Sequence, residues 1–183
     1  MVVSNERSAN YGNTEYLGET INHQWSKTAE FEVLFQNYVK KYITPDITYF
    51  SLLRSYSEYK ITQLFAEYPS YFGIFSSCNK NYAIHTDLPH TKWCGACPKC
   101  AFVFIMLAAF ISKEKVLSIF GQNLLEKESL LLTYKELLGI EGVKPFECVG
   151  TPEEVLLAFY KTYTKGEYNN SIVMKMFESE VLP

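Results

Sequence analysis

Apolar residues recur mostly at helical spacing along the chain, with short extended stretches near its start. A helical period predicts an amphipathic helix over residues 26–42, which the following "TPD" ends. Its predicted core-facing positions are Phe31, Leu34, Phe35, Tyr38, Val39 and Tyr42. The opening "MVV" and the later "ITYFSLL" are rich in β-branched and aromatic residues, so each predicts a short buried strand.

The later part of the chain predicts a series of helices separated by turn residues. Ser55 and Glu58 predict a capping box for a helix that Pro69 ends. The apolar run "CAFVFIMLAAFI" predicts a buried helix that begins near Pro98, since proline suits a first helical turn. Further helices are predicted over 113–120, 125–138, 151–164 and 170–180, with "TPEE" as the third start and Gly121, Gly139 and Gly166 at the ends. We therefore expect a mainly helical chain with a few short strands.

Composition and charge narrow the class of protein. The 183 residues are 48% hydrophobic, which is enough to bury a core, and the formal net charge is −3. An acidic balance argues against nucleic acid or an anionic membrane as a partner. The longest apolar run is shorter than the roughly twenty residues that span a bilayer. No apolar signal segment opens the sequence, so we expect a cytoplasmic protein.

Four of the five cysteines have the spacing of metal ligands. They are Cys78, Cys94, Cys97 and Cys100. The two C-x2-C turns let thiolates converge on one tetrahedral ion, and a helix that begins near Pro98 favours thiolates over thiols. We therefore expect a closed, structural zinc site. A redox dithiol, cysteines with no shared role, and ligation by His85 or His90 in place of a cysteine are the alternatives.

Several segments together resemble a known enzyme family. The stretches "SNERSANYGNTEYLGETINHQWSKTAEFE", "YFSLLRSYSEYKITQLFA", "WCGACPKCAFVFIMLAAF" and "KPFECVGTPEE" are similar, in this order, to the ATP-dependent UDP-N-acetylmuramoyl-L-alanyl-L-glutamate epimerases. The cysteine loop also resembles that of 7-cyano-7-deazaguanine synthase and related ATP pyrophosphatases. The resemblance implies the α/β fold of the HUP and PP-loop ATP pyrophosphatases for the whole enzyme. It divides this chain into 1–75, the C-terminal half of a nucleotide-binding domain, and 76–183, a helical zinc-loop subdomain.

One departure from the family concerns ATP binding. The family's N-terminal S-G-G-x-D-S loop is not in this sequence. The resemblance therefore implies the C-terminal portion of a longer enzyme, with an N-terminal half as a missing partner. The activity of this chain alone is in doubt on the same ground.

The resemblance implies an isomerase of peptidoglycan precursor synthesis. ATP would adenylate the carboxylate beside the α-carbon of the terminal L-glutamate, which removes its charge and acidifies the α-hydrogen. A base would then remove that proton, and a proton would return on the other face. The implied ligands are the UDP-muramyl dipeptide, ATP, Mg²⁺ and structural Zn²⁺. Another ATP pyrophosphatase that acts on a carboxylate, or a non-catalytic zinc-stabilised binding module, is the alternative.

Polar residues after the two predicted strands are the expected substrate- or nucleotide-binding groups, since ligands bind beyond the carboxyl ends of strands in open α/β sheets. These residues are Asn5, Glu6, Arg7, Ser8, Asn10, Asn13, Lys27 and Arg54. Arg54 favours bidentate binding of a phosphate or carboxylate or, alternatively, an ion pair with Glu58. Glu6, Glu15 and Glu30 are candidate magnesium ligands.

Three residues are the candidate catalytic residues of the implied reaction: Cys148, as a proton-transfer base, together with His23 and Glu30. Cys148 lies just before a predicted helix, whose dipole would stabilise a thiolate. A small buried hydrophobic residue is the alternative interpretation of this cysteine. His23 lies near Lys27 at a predicted helix start, and a structural histidine is the more usual interpretation of a single histidine there.

Overall fold

The computed structural model describes residues 1–82 and 92–182, and this part of the chain is mainly helical. Its helices are α1 Ala29–Tyr42, α2 Glu58–Phe65, α3 Pro98–Ala108, α4 Lys113–Phe120, α5 Leu131–Leu138, α6 Pro152–Lys165 and α7 Ile172–Glu180. Its strands are β1 Val2–Val3, β2 Thr14–Tyr16, β3 Glu19–Ile21 and β4 Phe50–Ser51. The prediction of a mainly helical chain with a few short strands is confirmed.

The strands form two small sheets. β1 and β4 pair in parallel, with Val2 opposite Phe50. β2 and β3 form an antiparallel hairpin inside the polar loop that follows β1, and Leu17 and Gly18 in its turn have positive φ. The hairpin was not predicted from the sequence, because its residues are mostly polar and show no apolar alternation.

The β1–β4 pair and α1 leave an apolar surface uncovered by the described residues. Val2 and Phe50 are 59% and 38% exposed, and Leu34, Tyr38 and Tyr42 on α1 are each more than half exposed. The predictions that both strands are buried and that these α1 residues face a core are therefore wrong for this chain. The surface remains open because none of the described elements packs against it.

The hydrophobic core is centred on α3, as the apolar run predicts. Phe104 and Ile105 of α3 are fully buried, and Phe104 contacts Phe120 of α4 with ring centroids 5.1 Å apart. α5, α6 and α7 complete the core around α3 and each other. In the part of the chain that the structure describes, no helix has the length and apolarity needed to cross a membrane.

Helix ends follow local sequence signals in most places. The predicted helix start at "TPEE" is confirmed, and it forms a capping box in which the Thr151 and Glu154 side chains each accept from the other's backbone N–H. The glycines at the ends of α4, α5 and α6 have the left-handed conformation that glycine adopts most readily, and they are Gly121, Gly139 and Gly166. The expected 125–138 helix is shorter, because two 3-10 turns precede α5.

Two helix starts differ from the prediction. α1 begins at Ala29 because the Thr28 hydroxyl caps it, accepting a hydrogen bond from the backbone N–H three residues on. α2 is capped by Ser57, so the predicted cap at Ser55 is wrong. Glu58 is the first helical residue of α2 and not the third, and its backbone N–H donates to Ser8 Oγ at 3.2 Å.

Truncation of the core residue Phe159 should destabilise the fold. Its ring is fully buried on α6 and contacts Tyr134 and Phe177, with centroids 5.6 and 5.0 Å away. We expect Phe159→Ala to lower the free energy of unfolding by about 3–5 kcal/mol, through lost burial and a cavity. The neighbouring Tyr160 is 56% exposed, so Tyr160→Ala should cost less than about 1 kcal/mol. Urea unfolding followed by circular dichroism measures both, and equal losses would contradict this packing.

Candidate active site and metal centre

The polar loop after β1 forms one wall of the candidate active site. Arg7–Asn10 form a 3-10 turn whose first backbone N–H donates to the Tyr56 carbonyl at 2.8 Å. The side chain of Asn10 accepts from the Ala29 N–H at 2.8 Å, and the side chain of Asn22 donates to the Ala9 carbonyl at 2.9 Å. These bonds fix the loop against the start of α1.

The buried carboxylate of Glu154 joins this loop to α2 and α6. Its Oε1 accepts from Ser8 Oγ at 2.9 Å and from the Tyr59 N–H at 3.3 Å, while its Oε2 accepts from the Thr151 N–H at 2.8 Å. Glu154 is only 7% exposed, so these donors replace the water that a carboxylate otherwise requires. Ser8, predicted as a binding residue, therefore has a structural role in this network, and its contact with a ligand stays a prediction.

A cleft of about 420 Å³ opens between the loop and the start of α6. Its polar walls include Arg7, Ser8, Asn10, Thr151, Glu153 and Glu154. The guanidinium of Arg7 is exposed and makes no hydrogen bond or ion pair within residues 1–82 and 92–182. An unpaired guanidinium in a cleft suits bidentate binding of a phosphate or carboxylate.

Arg54 holds the backbone around this loop. Its guanidinium donates twice to Glu32 Oε2, at 3.2 and 2.7 Å, and once each to the carbonyls of Glu6 and Lys27, at 3.1 and 2.9 Å. The alternative of an ion pair with Glu58 is wrong, because Glu58 opens α2 and faces α3, whereas Glu32 lies on α1 beside the guanidinium. Arg54 therefore positions the segments that carry Glu6 and Lys27.

The loop before α6 places Cys148 in contact with two lysines. Lys27 Nζ donates to Cys148 Sγ at 3.0 Å, and Lys99 Nζ donates to the Cys148 carbonyl. Lys144 is buried in the same loop, with its ammonium group 5.3 Å from the centre of the Tyr11 ring. Cys148 is partly exposed and hydrogen-bonded, so the alternative of a small buried hydrophobic residue does not describe it.

His23 lies at the rim of this lysine and cysteine cluster. Its Nδ1 is 2.7 Å from Asn13 Oδ1, and Asn13 Nδ2 donates to the Pro145 carbonyl at 2.9 Å. Burial lowers the pKa of His23, and the positive charges of Lys144 and Lys27 lower it further. The neutral imidazole is therefore favoured at neutral pH.

Three further predicted site residues, Glu30, Asn5 and Glu6, make other contacts. Glu30 Oε2 accepts from the Trp25 indole N–H at 3.0 Å on the exposed side of α1, and no contact joins it to Cys148 in the described structure. Asn5 and Glu6 contribute backbone carbonyls to Ser51 and Arg54. Sequence reasoning missed Lys99 and Lys144, although "KPFEC" places a lysine four residues before the cysteine.

The four predicted metal ligands converge at the start of α3. The Sγ atoms of Cys78, Cys94, Cys97 and Cys100 all lie within 4.8 Å of one another. The Cys94 and Cys100 sulfurs are 3.7 Å apart. Tetrahedral coordination with bonds of about 2.3 Å separates sulfurs by about 3.8 Å, so the cluster fits one ion.

The chemistry of this cluster also suits a metal ion. Cys97 caps α3, and a hydrogen bond from the Cys100 thiol, supported by the Cys100 backbone N–H, lowers the pKa of Cys97 to about 5. The thiolate is the form that binds metal. All five cysteines are free thiols, and the convergence of four favours a shared site over a redox pair or unrelated roles. The alternative ligands His85 and His90 lie outside the described residues.

The turn between the ligands Cys94 and Cys97 depends on a glycine, Gly95. Gly95 has a φ of 64°, and a Cβ at this position would overlap the Gln122 side chain. Its carbonyl accepts from Lys127 Nζ at 2.7 Å, which ties the turn to the chain after α4. The convergence of the Cys94 and Cys97 sulfurs therefore depends on the C-x2-C spacing and on the left-handed conformation of Gly95.

The candidate site therefore combines a cleft lined by Arg7, a thiol in contact with Lys27 and a four-cysteine cluster. Comparisons with known proteins place the chain in one family. The MurL N-terminal domain model matches residues 1–52, and the MurL C-terminal domain model matches residues 74–182. The chain belongs to the MurL family, as the resemblance in its sequence predicts. No solved structure matches it.

Curated relatives carry one name, UDP-N-acetyl-alpha-D-muramoyl-L-alanyl-L-glutamate epimerase. The relative from Xanthomonas oryzae pv. oryzae is 42% identical over all 183 residues, and that from a Micromonospora species is 41% identical over 96% of the chain. The relative from Salinispora tropica is 43% identical over 86% of the chain. The chain spans only 41%, 39% and 34% of the lengths of these three proteins.

Neutralisation of Glu154 should weaken the junction that it forms. We expect Glu154→Gln to lower the free energy of unfolding by about 2–3 kcal/mol, because the carboxylate accepts several charge-assisted hydrogen bonds. Glu153 is its exposed neighbour in the cleft, so Glu153→Gln should change stability by less than about 0.5 kcal/mol. Chemical unfolding of both variants measures the difference, and an unaffected Glu154→Gln protein would exclude the proposed junction.

Loss of one cysteine ligand should weaken metal binding. We expect Cys94→Ser to retain less than stoichiometric metal and to melt at a lower temperature, since a closed site needs all four thiolates. The matched control is Cys148→Ser, which removes a cysteine outside the cluster and should keep the metal. Plasma mass spectrometry of the purified proteins gives the metal content, and stoichiometric metal in Cys94→Ser would refute the ligand assignment.

Proposed function

We propose that this chain contributes to ATP-dependent epimerisation of the terminal L-glutamate of UDP-N-acetylmuramoyl-L-alanyl-L-glutamate to D-glutamate, in peptidoglycan precursor synthesis. The observation that carries the proposal is the meeting of the Arg7 cleft and the Cys148 cluster in a chain of the MurL family. Tyr11 joins the two, since it lines the cleft and lies over Lys144. The reaction would take place in the cytoplasm, where ATP is available.

The cleft would hold the anionic groups of the reaction. The exposed Arg7 guanidinium suits the substrate carboxylate or a phosphate of ATP, and the amide of Asn10 lies on the same wall. Mg²⁺ would neutralise the triphosphate charge. Glu6 and Glu15 are nearer to this loop in sequence than Glu30, whose carboxylate already accepts from Trp25. Arg54 takes part as a positioning residue, through the backbone that it holds.

Proton transfer would take place at Cys148 once the substrate carboxylate is adenylated. Adenylation removes the carboxylate charge, so the carbanion that forms at the α-carbon is delocalised into the acyl group. A Cys148 thiolate would take the α-proton, with formation of an S–H bond and cleavage of the C–H bond. His23 is our candidate for the opposite face, near Lys27 and Lys144. Its imidazole, protonated once the anionic substrate is bound, would return a proton to the α-carbon, so that an N–H bond breaks as the new C–H bond forms. Water then releases AMP.

The four-cysteine centre would hold structural zinc. Four cysteine ligands leave no open position for water, so the ion would stabilise the loop and not take part in the reaction. The cysteine loop contacts the segment that carries Cys148 through Lys99, which lies between the ligands Cys97 and Cys100. Its backbone N–H donates to Glu147 at 2.7 Å and its ammonium group to the Cys148 carbonyl. Zinc would therefore order the segment on which Cys148 rests.

The rest of the family's length would complete the nucleotide site. Parallel sheets are normally covered on both faces, whereas the β1–β4 pair has exposed Val2 and Phe50. We propose that a further parallel strand from the family's remaining region pairs beside β1 or β4, as in the α/β fold of the PP-loop ATP pyrophosphatases. Residues 53–73 lie between the two family matches, which supports a division of this chain near residue 75.

A chimera tests the proposed function. This chain would replace the matching region of the Xanthomonas oryzae relative, and the chimera would receive UDP-N-acetylmuramoyl-L-alanyl-L-glutamate and ATP. We expect AMP release together with D-glutamate, detected by chiral chromatography after hydrolysis. Arg7→Ala should lower kcat/KM by about 10- to 100-fold, the loss of one or two charge-assisted hydrogen bonds.

The control is Lys175→Ala, which removes an exposed charge on α7 and should leave the rate unchanged. A folded chimera that releases AMP without forming D-glutamate would favour another ATP pyrophosphatase activity. A folded chimera that does neither would favour a zinc-stabilised binding module. Unchanged kinetics in Arg7→Ala would exclude the cleft as the anion site.

A further inference from the structure

We propose that a polar groove beside the Arg7 cleft binds the N-acetylmuramoyl sugar of the substrate. The groove has a volume of about 390 Å³ and lies between the loop after β1 and the β2–β3 hairpin. Its polar and aromatic walls are formed by Asn10, Tyr11, Asn13, Thr14, Glu15 and Thr20. The inference rests on the proposed function for the identity of the sugar, and it deepens that function by assigning a binding site to a part of the substrate that does not react.

The groove adjoins the cleft, since Asn10 and Tyr11 line both. In the substrate, one alanine and one lactyl group separate the reacting glutamate from the sugar ring. Consecutive units of this kind span about 3.8 Å each, so a glutamate in the Arg7 cleft places the sugar ring within about 10 Å of its α-carbon. The uridine lies beyond the diphosphate and is further away. The sugar is therefore the part of the substrate that an adjoining groove would receive.

Tyr11 provides an aromatic surface where the groove and the cleft meet. Lys144 Nζ contacts the ring on one side, 5.3 Å from its centre. Tyr11 is nevertheless 42% exposed, and its hydroxyl makes no hydrogen bond within the described part of the chain. One face of a pyranose ring carries mainly C–H bonds, and tyrosine offers such a face a large contact area at a low cost in conformational entropy. Tyr11 therefore suits stacking against the sugar.

The hairpin supplies polar groups that have no other partner. Glu15 and Thr20 are opposite each other in the β2–β3 pair, so their side chains lie on one face. Neither side chain makes a hydrogen bond or ion pair within residues 1–82 and 92–182. A hydroxyl donates and accepts, and a carboxylate accepts, so the two suit the hydroxyls and the N-acetyl amide of the sugar. Glu15 would then bind the sugar, which leaves Glu6 as the magnesium candidate of this loop.

The walls of the groove are held in place by contacts within the chain. Asn13 donates from its side chain to the Pro145 carbonyl at 2.9 Å and from its backbone N–H to the Ile21 carbonyl at 2.7 Å. A Cβ at Gly12 would overlap the methyl group of Thr20, so glycine allows the hairpin to approach the loop closely. A groove already formed in this way binds a ligand with little loss of freedom in the protein.

The test compares two probes that bind the 183-residue chain, N-acetylmuramoyl-L-alanyl-L-glutamate and L-alanyl-L-glutamate, by nuclear magnetic resonance titration. We expect both to bind, the sugar-bearing probe about tenfold more tightly. Thr20→Val removes one hydroxyl, so it should weaken binding of the sugar-bearing probe by about three- to tenfold and leave the dipeptide unchanged. Tyr11→Leu should weaken the sugar-bearing probe by about tenfold and the dipeptide by less.

Two controls separate a sugar contact from damage to the fold. Tyr11→Phe keeps the aromatic ring and should keep most of the affinity for the sugar-bearing probe. Tyr160→Leu removes an exposed tyrosine of α6 and should bind both probes as the parent chain does. Unchanged binding of the sugar-bearing probe by Thr20→Val and Tyr11→Leu would overturn the inference, as would equal binding of the two probes, or of neither, by the parent chain. Binding of UDP that depends on these two residues would assign the groove to uridine instead.

The outcome is independent of the epimerase assay. A chain that binds the sugar-bearing probe through Thr20 alongside an inactive chimera would support the sugar site and reject the proposed function. An active chimera whose KM is the same with and without Thr20→Val and Tyr11→Leu would support the function and reject the sugar site.

Discussion

One buried carboxylate determines how the pieces of this site meet. Glu154 accepts hydrogen bonds from Ser8 in the first loop, from Tyr59 in α2 and from Thr151 at the start of its own helix. A buried carboxylate without donors is strongly unfavourable, so these three segments must come together for the chain to fold. The cleft that contains Arg7 is the space left beside this junction.

The chemistry of the site follows from the same junction. Because Ser8 is fixed inside it, the neighbouring Arg7 faces the cleft with its guanidinium exposed. The segment just before α6 carries Cys148. Lys99, which lies between the ligands Cys97 and Cys100, donates a hydrogen bond to the Cys148 carbonyl. Arg54 donates a hydrogen bond to the Lys27 carbonyl and so positions Lys27, whose ammonium group contacts Cys148. The four-cysteine cluster, through Lys99, and Arg54, through Lys27, thus both help to position Cys148.

Features specified by near neighbours in the chain could be predicted from the sequence. They include α4, the Thr151–Glu154 capping box, the glycine helix ends and the four-cysteine cluster, whose ligand spacing is local. Features that depend on distant segments could not, such as the Lys27–Cys148 contact and the pairing of Arg54 with Glu32. The apolar face of α1 was predicted to be buried from its period, but a period does not reveal whether a covering element is present in the same chain.

The most direct test of the account is exchange of the substrate α-proton with solvent. The chimera with the Xanthomonas oryzae relative would act on UDP-N-acetylmuramoyl-L-alanyl-L-glutamate and ATP in deuterated water. Mass spectrometry would then analyse the glutamate freed by hydrolysis of the product. The account predicts deuterium at the α-carbon of the D-glutamate product, and loss of both deuterium and D-glutamate in Cys148→Ser while AMP is still released. Epimerisation by Cys148→Ser at the parent rate would contradict it.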